Sequence, residues 1–169
     1  MGGTNTGALV VIAKGSELRL YAETGDELDC IISKRLLLSI FNKTSPLHDG
    51  AVIIVNNRIK AARCILPVTE NSELPAFLGL RHRAAIGITE LTDCIVVIVS
   101  EETGEISISR NGKLYYNLTP LELRTKLNLY LFGNDEEIDK DIDDTVDVIG
   151  VTNRDNITHQ DLGYKSSRM

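Results

Sequence analysis

A chain of 169 residues with 43% hydrophobic residues is long enough to bury one core without disulfide or metal support. Its net charge of −6 comes from residues 134–169, which hold ten acidic and four basic residues, whereas residues 1–133 hold 14 of each. The neutral body excludes the broad basic surface that sequence-independent nucleic-acid binding needs, so we expect no nucleic-acid partner and only locally bound anions.

Cysteine spacing and the length of the apolar runs exclude two more classes of protein. Cys30, Cys64 and Cys94 form no CxxC pair, which argues against a disulfide framework and against a zinc site. We therefore expect reduced, buried thiols. No apolar run approaches the roughly 18 residues that a membrane-spanning helix needs, so the sequence predicts a domain that is soluble and intracellular.

Short apolar runs alternate with helical patterns along the chain, and this alternation predicts an α/β fold. Strands are predicted over residues 8–13 and 18–21. A helix follows over residues 33–41, with Ser33 as its N-cap and apolar residues at helical intervals.

An Asn-Asn pair at residues 56–57 separates two further strands, over residues 51–55 and 58–66. Asparagine tolerates the left-handed backbone that a two-residue hairpin loop requires, so these strands are predicted to be antiparallel neighbours. The expected architecture is a mixed, twisted β-sheet flanked by helices.

The pattern continues in the second half of the sequence. A helix is predicted over residues 84–91, and a buried central strand over residues 94–100, where the apolar run is nearly unbroken. Residues 106–110 and 114–117 flank Asn111-Gly112, which is a strong hairpin signal.

A last helix begins with a capping box at residues 119–122. The stretch over residues 135–147 then holds eight acidic residues and one lysine, a composition that buries too little apolar surface to offset the cost of ordering. We therefore expect a short leader or cloning remnant over residues 1–6, a folded domain over residues 7–133 and a disordered acidic tail over residues 134–169.

Three polar clusters are candidates for a functional site. The first, residues 46–51 with the sequence PLHDGA, places the imidazole of His48 beside the carboxylate of Asp49 at the start of a strand. The glycine that follows lets another molecule approach the backbone. Alternatively, Asp-Gly forms only a turn and His48 is structural.

The second cluster, residues 79–83 with the sequence GLRHR, places Arg81, His82 and Arg83 immediately before the helix predicted over residues 84–91. Helix N-termini carry partial positive charge and favour acidic residues, so basic residues there indicate a bound polyanion. Free backbone N–H groups and bidentate arginines would hold it. The alternative is a solvated basic corner of the surface.

The third cluster, residues 100–104 with the sequence SEETG, ends the most apolar strand, where α/β folds place their sites. A simple acidic turn would look the same. Together the clusters offer a carboxylate and an imidazole for a divalent metal and an attacking hydroxyl, and cations for a triphosphate. These are the requirements of nucleotidyl transfer, and no Walker A motif or dinucleotide-binding fingerprint competes for the phosphate.

The motif Asp49-Gly50-Ala51 followed by Arg81-His82-Arg83 resembles the paired signature of the diadenylate cyclase domain family. The longer segments PLHDGAVII, RHRAAIGI and VSEETG are similar to its membrane-anchored class, usually called CdaA or DacA. The likeness extends from about Gly7 to Leu131.

The resemblance implies an enzyme with a mixed sheet flanked by helices that condenses two ATP molecules into cyclic di-AMP and releases pyrophosphate. It implies catalytic roles for Asp49, Gly50 and Arg83, ATP contacts by Ile65, Leu66, Leu80, Arg81, His82, Arg83, Ser100 and Glu101, and metal contacts by His48, Asp49 and Glu101. Glu102 is a weaker candidate. Asp49 would help to deprotonate the attacking 3′-hydroxyl.

Two positions depart from the family, in which Tyr is common where this chain has Ile65, and Thr where it has Leu80. Ile65 can cover a purine face but loses aromatic stacking, and Leu80 cannot donate a hydroxyl to phosphate. We expect these changes to affect ATP affinity more than the type of reaction.

The two-fold symmetry of the product implies that two ATP-loaded sites face each other in an isologous homodimer. The cofactor is expected to be Mn²⁺ or Mg²⁺, and an imidazole ligand favours Mn²⁺. Members of this class carry upstream membrane helices. The resemblance therefore implies the cytoplasmic domain of a bacterial membrane-anchored protein, with a membrane-embedded regulator acting through that segment.

Two other functions explain parts of the sequence. A non-enzymatic nucleotide-binding module would use the same basic helix start without any chemistry. A structural interaction domain would explain the neutral body and the acidic tail, but not three polar clusters at the ends of elements.

Overall fold

The computed structural model of the chain describes residues 6–15, 18–134, 136–138, 140 and 148–150. The strands within these residues are β1 (Ala8–Ile12), β2 (Asp26–Ile31), β3 (Ala51–Val55), β4 (Arg58–Cys64), β5 (Ile95–Val99), β6 (Ile106–Arg110), β7 (Lys113–Leu118) and β8 (Val148–Gly150). The helices are α1 (Arg19–Ala22), α2 (Lys34–Ile40), α3 (Leu80–Leu91) and α4 (Pro120–Phe132). The strands form one sheet in the order β2-β4-β3-β1-β5-β6-β7-β8.

The sheet is mixed, as predicted. β1 pairs in parallel with β3, whereas β1 with β5 and β3 with β4 are antiparallel pairs. All five residues of β3 are buried, because this strand lies inside the sheet and is covered on both faces. The predicted fold class, an α/β fold with helices flanking a mixed sheet, is confirmed.

Helices cover both faces of the sheet. Ile53 of β3 packs in one cluster with buried residues of α3, whereas Val52 and Ile54 pack in another with α2. Side chains alternate across a strand, so neighbouring residues of β3 serve opposite faces. A third cluster, around Tyr115 and Tyr130, joins β7 to α4.

Both predicted hairpins form. Asn56 and Asn57 have φ angles of 51° and 61° and join β3 to β4. Asn111 and Gly112 have φ angles of 53° and 74° and join β6 to β7. Positive φ at both central residues is the geometry that a two-residue hairpin turn requires, and asparagine and glycine adopt it most readily.

The predicted caps also form. Ser33 accepts a hydrogen bond from the N–H of Leu36 at 3.1 Å at the start of α2. At the start of α4 the Thr119 hydroxyl accepts from the N–H of Glu122, whose carboxylate accepts from the N–H of Thr119. These bonds satisfy N–H groups that have no partner within their helix.

The prediction of a strand over residues 18–21 is wrong. Leu18 has a left-handed backbone with φ of 53° and a buried side chain, and Arg19–Ala22 then forms the short helix α1. Short apolar runs fit a helix or a strand equally well, so tertiary packing decided the outcome. The sequence also missed β2, an acidic strand at the sheet edge that has only one neighbour.

The predicted disordered tail over residues 134–169 falls largely outside the described residues, and there it stays a prediction. The described part departs from it. The side chain of Ile138 is 1% exposed and packs in the cluster of Tyr130, and Val148–Gly150 pairs antiparallel with β7. The leader predicted over residues 1–6 also lies outside the described residues, apart from residue 6.

The state of the cysteines and the apolar character of the helices were both predicted from composition. All three cysteines are free, as predicted, and Cys64 and Cys94 are buried, whereas Cys30 is only half-buried. Among the described helices, none has both the length and the apolar character needed to span a membrane.

Candidate active site

A cavity of about 830 Å³ lies where β1 and β3 begin and β4 and β5 end. We call Asp49, Gly50 and residues 63–66 the β4 wall, and residues 79–82 with 100–102 the α3 wall. Nine predicted site residues line this cavity: Asp49, Gly50, Ile65, Leu66, Leu80, Arg81, His82, Ser100 and Glu101. The sequence clusters therefore converge on one space, although His48 and Arg83 are not part of its lining.

Gly50 brings Asp49 to the cavity through a close backbone contact with β4. Its φ angle is 138°, which residues with a side chain rarely adopt, and an added Cβ would lie 2.8 Å from the Cα of Arg63. Glycine satisfies both conditions because it has no side chain. The exposed Asp49 carboxylate is thereby held at the start of β3, where a bound molecule can reach it.

His48 precedes Asp49 and is half-buried. Its Nδ1 lies 2.7 Å from the carbonyl oxygen of Ser45. A carbonyl oxygen can only accept, so Nδ1 carries the proton and donates. In the neutral ring Nε2 is then unprotonated and is the nitrogen available to a metal ion.

The helix α3 begins at Leu80, four residues earlier than predicted, so the basic cluster forms its first turn instead of preceding it. Gly79 is the N-cap and makes no side-chain capping bond. The first N–H groups of a helix have no partner within it, and residues 80–82 line the cavity. The helix N-terminus therefore meets the requirements of an anion site.

An ion pair joins the two parts of the α3 wall. Arg81 Nη1 lies 3.0 Å from Glu101 Oε2, and the pair packs against Gly7, where an added Cβ would lie 2.8 Å from Arg81 Cζ. The hydrogen bond and charge of Arg81, and more weakly Lys43 and His48, hold the pKa of the Glu101 carboxyl below its usual value of 4.5. Glu101 therefore stays ionised, and the end of β5 is tied to the start of α3.

Arg83, a predicted catalytic and phosphate-binding residue, is not part of the cavity lining and is engaged with the main chain instead. Its Nε donates to the carbonyl of Leu78 and its Nη2 to the carbonyl of Pro75, both at 3.1 Å. The guanidinium therefore braces the loop that leads into α3. Arg81 lines the cavity and Arg83 does not, because side chains two residues apart on a helix do not share a face.

His82 supplies less positive charge than the sequence indicated. Burial, and to a smaller extent the neighbouring Arg81 guanidinium, lower the pKa of its imidazole below the usual 6.5. The ring is therefore uncharged near pH 7 and offers a hydrogen bond to a ligand instead of a fixed cation.

Apolar side chains complete the lining. Ile65 and Leu80 are 70% and 71% exposed, whereas Leu66 is buried. The N–H of Ile65 donates to the hydroxyl of Thr24 at 2.8 Å, so the turn before β2 supports the β4 wall. Exposed aliphatic groups beside a few polar ones suit the flat face of an aromatic ring such as a nucleobase.

The loop after β5 is a turn and also part of the cavity. The N–H of Thr103 donates to Ser100 Oγ at 3.3 Å, and the N–H of Gly104 donates to the Ser100 carbonyl at 2.9 Å. Ser100, Glu101 and Glu102 line the cavity. Residues 100–104 are therefore both an acidic turn and part of the candidate site, so the two interpretations of this cluster are compatible.

Residues 1–114 match the DAC family, described as the nucleotide-binding domain of the DisA bacterial checkpoint controller. The chain belongs to this family. The match includes both signature motifs and every residue that lines the cavity, so the resemblance noted in the sequence is confirmed.

Relatives and solved structures agree with this assignment. The chain is 48% identical over 121 residues to the cyclic di-AMP synthase CdaA of Bacillus subtilis, covering 72% of this chain and 44% of that protein. It is 47% identical over 117 residues to a diadenylate cyclase of Listeria monocytogenes, covering 69% and 43%. The chain thus spans less than half the length of these two relatives.

Two solved structures are similar. A double mutant of DacA from Staphylococcus aureus superposes with a TM-score of 0.74 at 43% identity, covering 76% of this chain and 86% of that one. A protein of Bacillus cereus described as a hypothetical membrane-spanning protein has a TM-score of 0.65 at 44% identity, covering 68% and 56%. Both likenesses support the α/β fold described above.

Thr24, Arg63 and Phe77 are among the lining residues that sequence reasoning missed. None of them lies in a family motif or at the end of a predicted element. The one signal for Arg63 was a charged residue between Ala62 and Cys64, inside an otherwise apolar strand end.

Side-chain oxygen and nitrogen atoms near the cavity suit a metal ion that is held jointly by the protein and by a bound nucleotide. No group of three or more His, Cys, Asp or Glu side chains in the described part of the chain could hold a metal ion alone. Asp49 and Glu101 nevertheless line the cavity, and His48 is adjacent in sequence. Two carboxylates and an imidazole fit a divalent cation whose remaining ligands come from the phosphates of a bound nucleotide.

Proposed function

We propose that residues 7–133 are the catalytic domain of a diadenylate cyclase, which joins two ATP molecules into cyclic di-AMP and releases pyrophosphate. The observation that carries this proposal is that Asp49, Arg81 and Glu101 line one cavity together with apolar side chains. The names of the two bacterial relatives, a cyclic di-AMP synthase and a diadenylate cyclase, support the same reaction.

In this proposal the adenine lies against Ile65 and Leu66, and the triphosphate lies at the start of α3. The free N–H groups of the first turn and the guanidinium of Arg81 bind phosphate oxygens, with the Ser100 hydroxyl as a further donor. Leu80 contributes its backbone, and Arg83 acts indirectly by holding the loop before the helix.

Asp49 is the proposed general base. It accepts the proton of the 3′-hydroxyl of one ATP, whose oxygen then bonds to the α-phosphorus of the second ATP. The bond from that phosphorus to the bridging oxygen breaks, and pyrophosphate leaves. Gly50 supports the step by fixing Asp49 against β4. In a second, equivalent step the 3′-hydroxyl of the second nucleotide bonds to the α-phosphorus of the first, which closes the ring and releases a second pyrophosphate.

His48, Asp49 and Glu101 are the residues that would hold a divalent cation, Mn²⁺ or Mg²⁺. The cation would supply charge neutralisation on the phosphates. Its imidazole ligand favours Mn²⁺ over Mg²⁺. Glu101 is already ionised, so it needs no deprotonation to act as a ligand.

The active form in this proposal is a homodimer with two facing sites. The cavity offers one set of phosphate-binding groups, and the product contains two identical linkages. An isologous dimer places each 3′-hydroxyl near the α-phosphate of the other nucleotide, which supplies the rate advantage of proximity.

Incubation with ATP and Mn²⁺, followed by assays for pyrophosphate and cyclic di-AMP, tests the reaction. Asp49→Asn should retain ATP affinity and lose product by about 100-fold or more, the usual contribution of general-base catalysis. A chain that binds ATP but yields no product would instead be a nucleotide-binding module.

A dilution series tests the dimer. Activity per mole should fall on dilution because only the pair of subunits is competent. Strictly proportional activity over a wide range of concentrations would contradict the facing-site arrangement.

We also infer that the full protein is anchored to a bacterial membrane, with this domain on the cytoplasmic side and a membrane-embedded regulator acting through the anchor. The likeness to a protein described as membrane-spanning supports the anchor. Fractionation of the native cells tests it, and recovery of the full protein in the soluble fraction would contradict it.

A further inference from the structure

The charge of the cavity lining leaves a polyphosphate with few fixed cations. Carboxylates line the cavity together with two arginines, Arg63 and Arg81, and one histidine, His82. His82 is uncharged near pH 7 because its pKa is lowered, and Arg81 is paired with Glu101. Arg63, which lies in no family motif, is therefore half of the permanent positive charge in the lining.

A β-bulge directs Arg63 to the cavity. Ala51 pairs with Cys64 and Ile53 with Ala61, so β4 has one residue more than β3 between these pairs. Arg63 lies in this bulge with a left-handed backbone, φ 55°, unusual for a residue with a side chain. Bulges are common next to functional sites because they re-aim a side chain.

An ion pair with Asp26 positions the Arg63 side chain through its Nε atom alone. Its Nε donates to Asp26 Oδ2 of the neighbouring strand β2 at 3.0 Å, and Asp26 is not part of the cavity lining. Within the part of the chain that the structure describes, neither Nη group of Arg63 has a hydrogen-bond partner, so both can bind another acceptor. The side chain is 55% exposed, and Arg63 is one of the residues that line the cavity.

We propose that Arg63 is a second phosphate-binding side chain of the nucleotide site, positioned by Asp26 and by the bulge in β4. The proposal rests on the proposed function, since it takes the ligand to be a nucleoside triphosphate. It adds to the β4 wall a cation that neither signature motif contains. Planar guanidinium groups bind phosphate oxygens through paired hydrogen bonds, which suits the free Nη groups.

Arg58 provides a matched control on the same strand. It also donates through Nε to a carboxylate of β2, Asp29, at 3.0 Å, and it is 44% exposed. It does not line the cavity. The two arginines therefore share their strand, an Nε bond to a carboxylate of β2 and similar exposure. They differ in access to the ligand and in Nη2, which in Arg58 also donates to the carbonyl of Asp29.

Titration calorimetry with a non-hydrolysable ATP analogue and with adenosine tests the proposal. Arg63→Gln should weaken binding of the analogue about tenfold, the expected loss of a charge-assisted contact to phosphate, and leave adenosine binding unchanged. Arg58→Gln should bind both ligands as the unaltered chain does. Arg63→Lys, which keeps the charge, should recover part of the affinity.

The outcomes separate this proposal from the proposed function. If the unaltered chain makes cyclic di-AMP and Arg63→Gln binds the analogue as tightly as Arg58→Gln does, the role of Arg63 is refuted and the cyclase remains. Equal losses for the analogue and for adenosine would also refute a phosphate contact. If the unaltered chain binds no nucleotide, both proposals fall.

Discussion

The two walls of the cavity are built by different means. On the α3 wall the functional side chains lie in the first turn of a regular helix and just after a regular strand. On the β4 wall they depend on irregular backbone, with φ angles of 138° at Gly50 and 55° at Arg63. The α3 wall therefore depends mainly on its side chains, and the β4 wall on its main-chain geometry.

The largest expected difference is between Arg81, which belongs to the α3 wall, and Arg83, which lies in the same helical turn but outside the cavity lining. Arg81→Gln should weaken ATP binding about 10- to 100-fold, because it removes the proposed charge-assisted contact to phosphate. The melting temperature of this variant should hardly change, because the partly exposed ion pair between Arg81 and Glu101 contributes little stability. Calorimetry and thermal unfolding measure both quantities.

Arg83→Gln serves as the counterpart in the same turn. It should lower the melting temperature, because the carbonyls of Leu78 and Pro75 lose their donors, and it should weaken ATP binding less than Arg81→Gln does. Equal losses of ATP affinity in the two variants would show that Arg83 also contacts the nucleotide.

A pair of glycines tests the difference in backbone. Gly50→Ala should cost about 2–3 kcal/mol of unfolding free energy, because alanine strains at this φ and its Cβ would collide with Arg63. Gly79→Ala on the α3 wall meets nothing within 4 Å and should cost below about 1 kcal/mol. Denaturant titration compares them, and equal costs would remove the distinction between the walls.

The smallest expected effect is a pH dependence from His82. Its pKa is lowered in the folded state, so below the usual value of 6.5 the unfolded state binds the proton more readily. The contribution of His82 to the free energy of unfolding should therefore be fully present above 6.5 and be lost as the pH falls below 6.5 through the lowered pKa of the folded state. His82→Gln should reduce this slope in denaturant midpoints, and an unchanged slope would assign it to other groups.

Much of the fold could be predicted because the decisive interactions are local. The turns at Asn56-Asn57 and Asn111-Gly112 and the caps at Ser33 and Thr119 each depend on residues within three positions of one another. The segment 18–21 could not be assigned because its apolar run fits two conformations, and burial of Leu18 selected the helical one.

The candidate site divides in the same way. The signature motifs pointed to Asp49 and Arg81, both of which line the cavity. The position of Arg63 in the cavity lining was not predicted, because the residues around it do not indicate the bulge. The bulge arises from the pairing of β4 with β3. The position of Arg83 could not be anticipated because the start of α3 was misplaced by four residues.

By itself the sequence determined the α/β class, both hairpins, the helix caps and the two motifs of the site, since short-range sterics and hydrogen bonds encode them. Three outcomes were set by the folded structure: which basic residues line the cavity, the lowered pKa of His82 and the burial of Ile138. Those outcomes depend on contacts between elements far apart in the chain, and such contacts exist only once the sheet has formed.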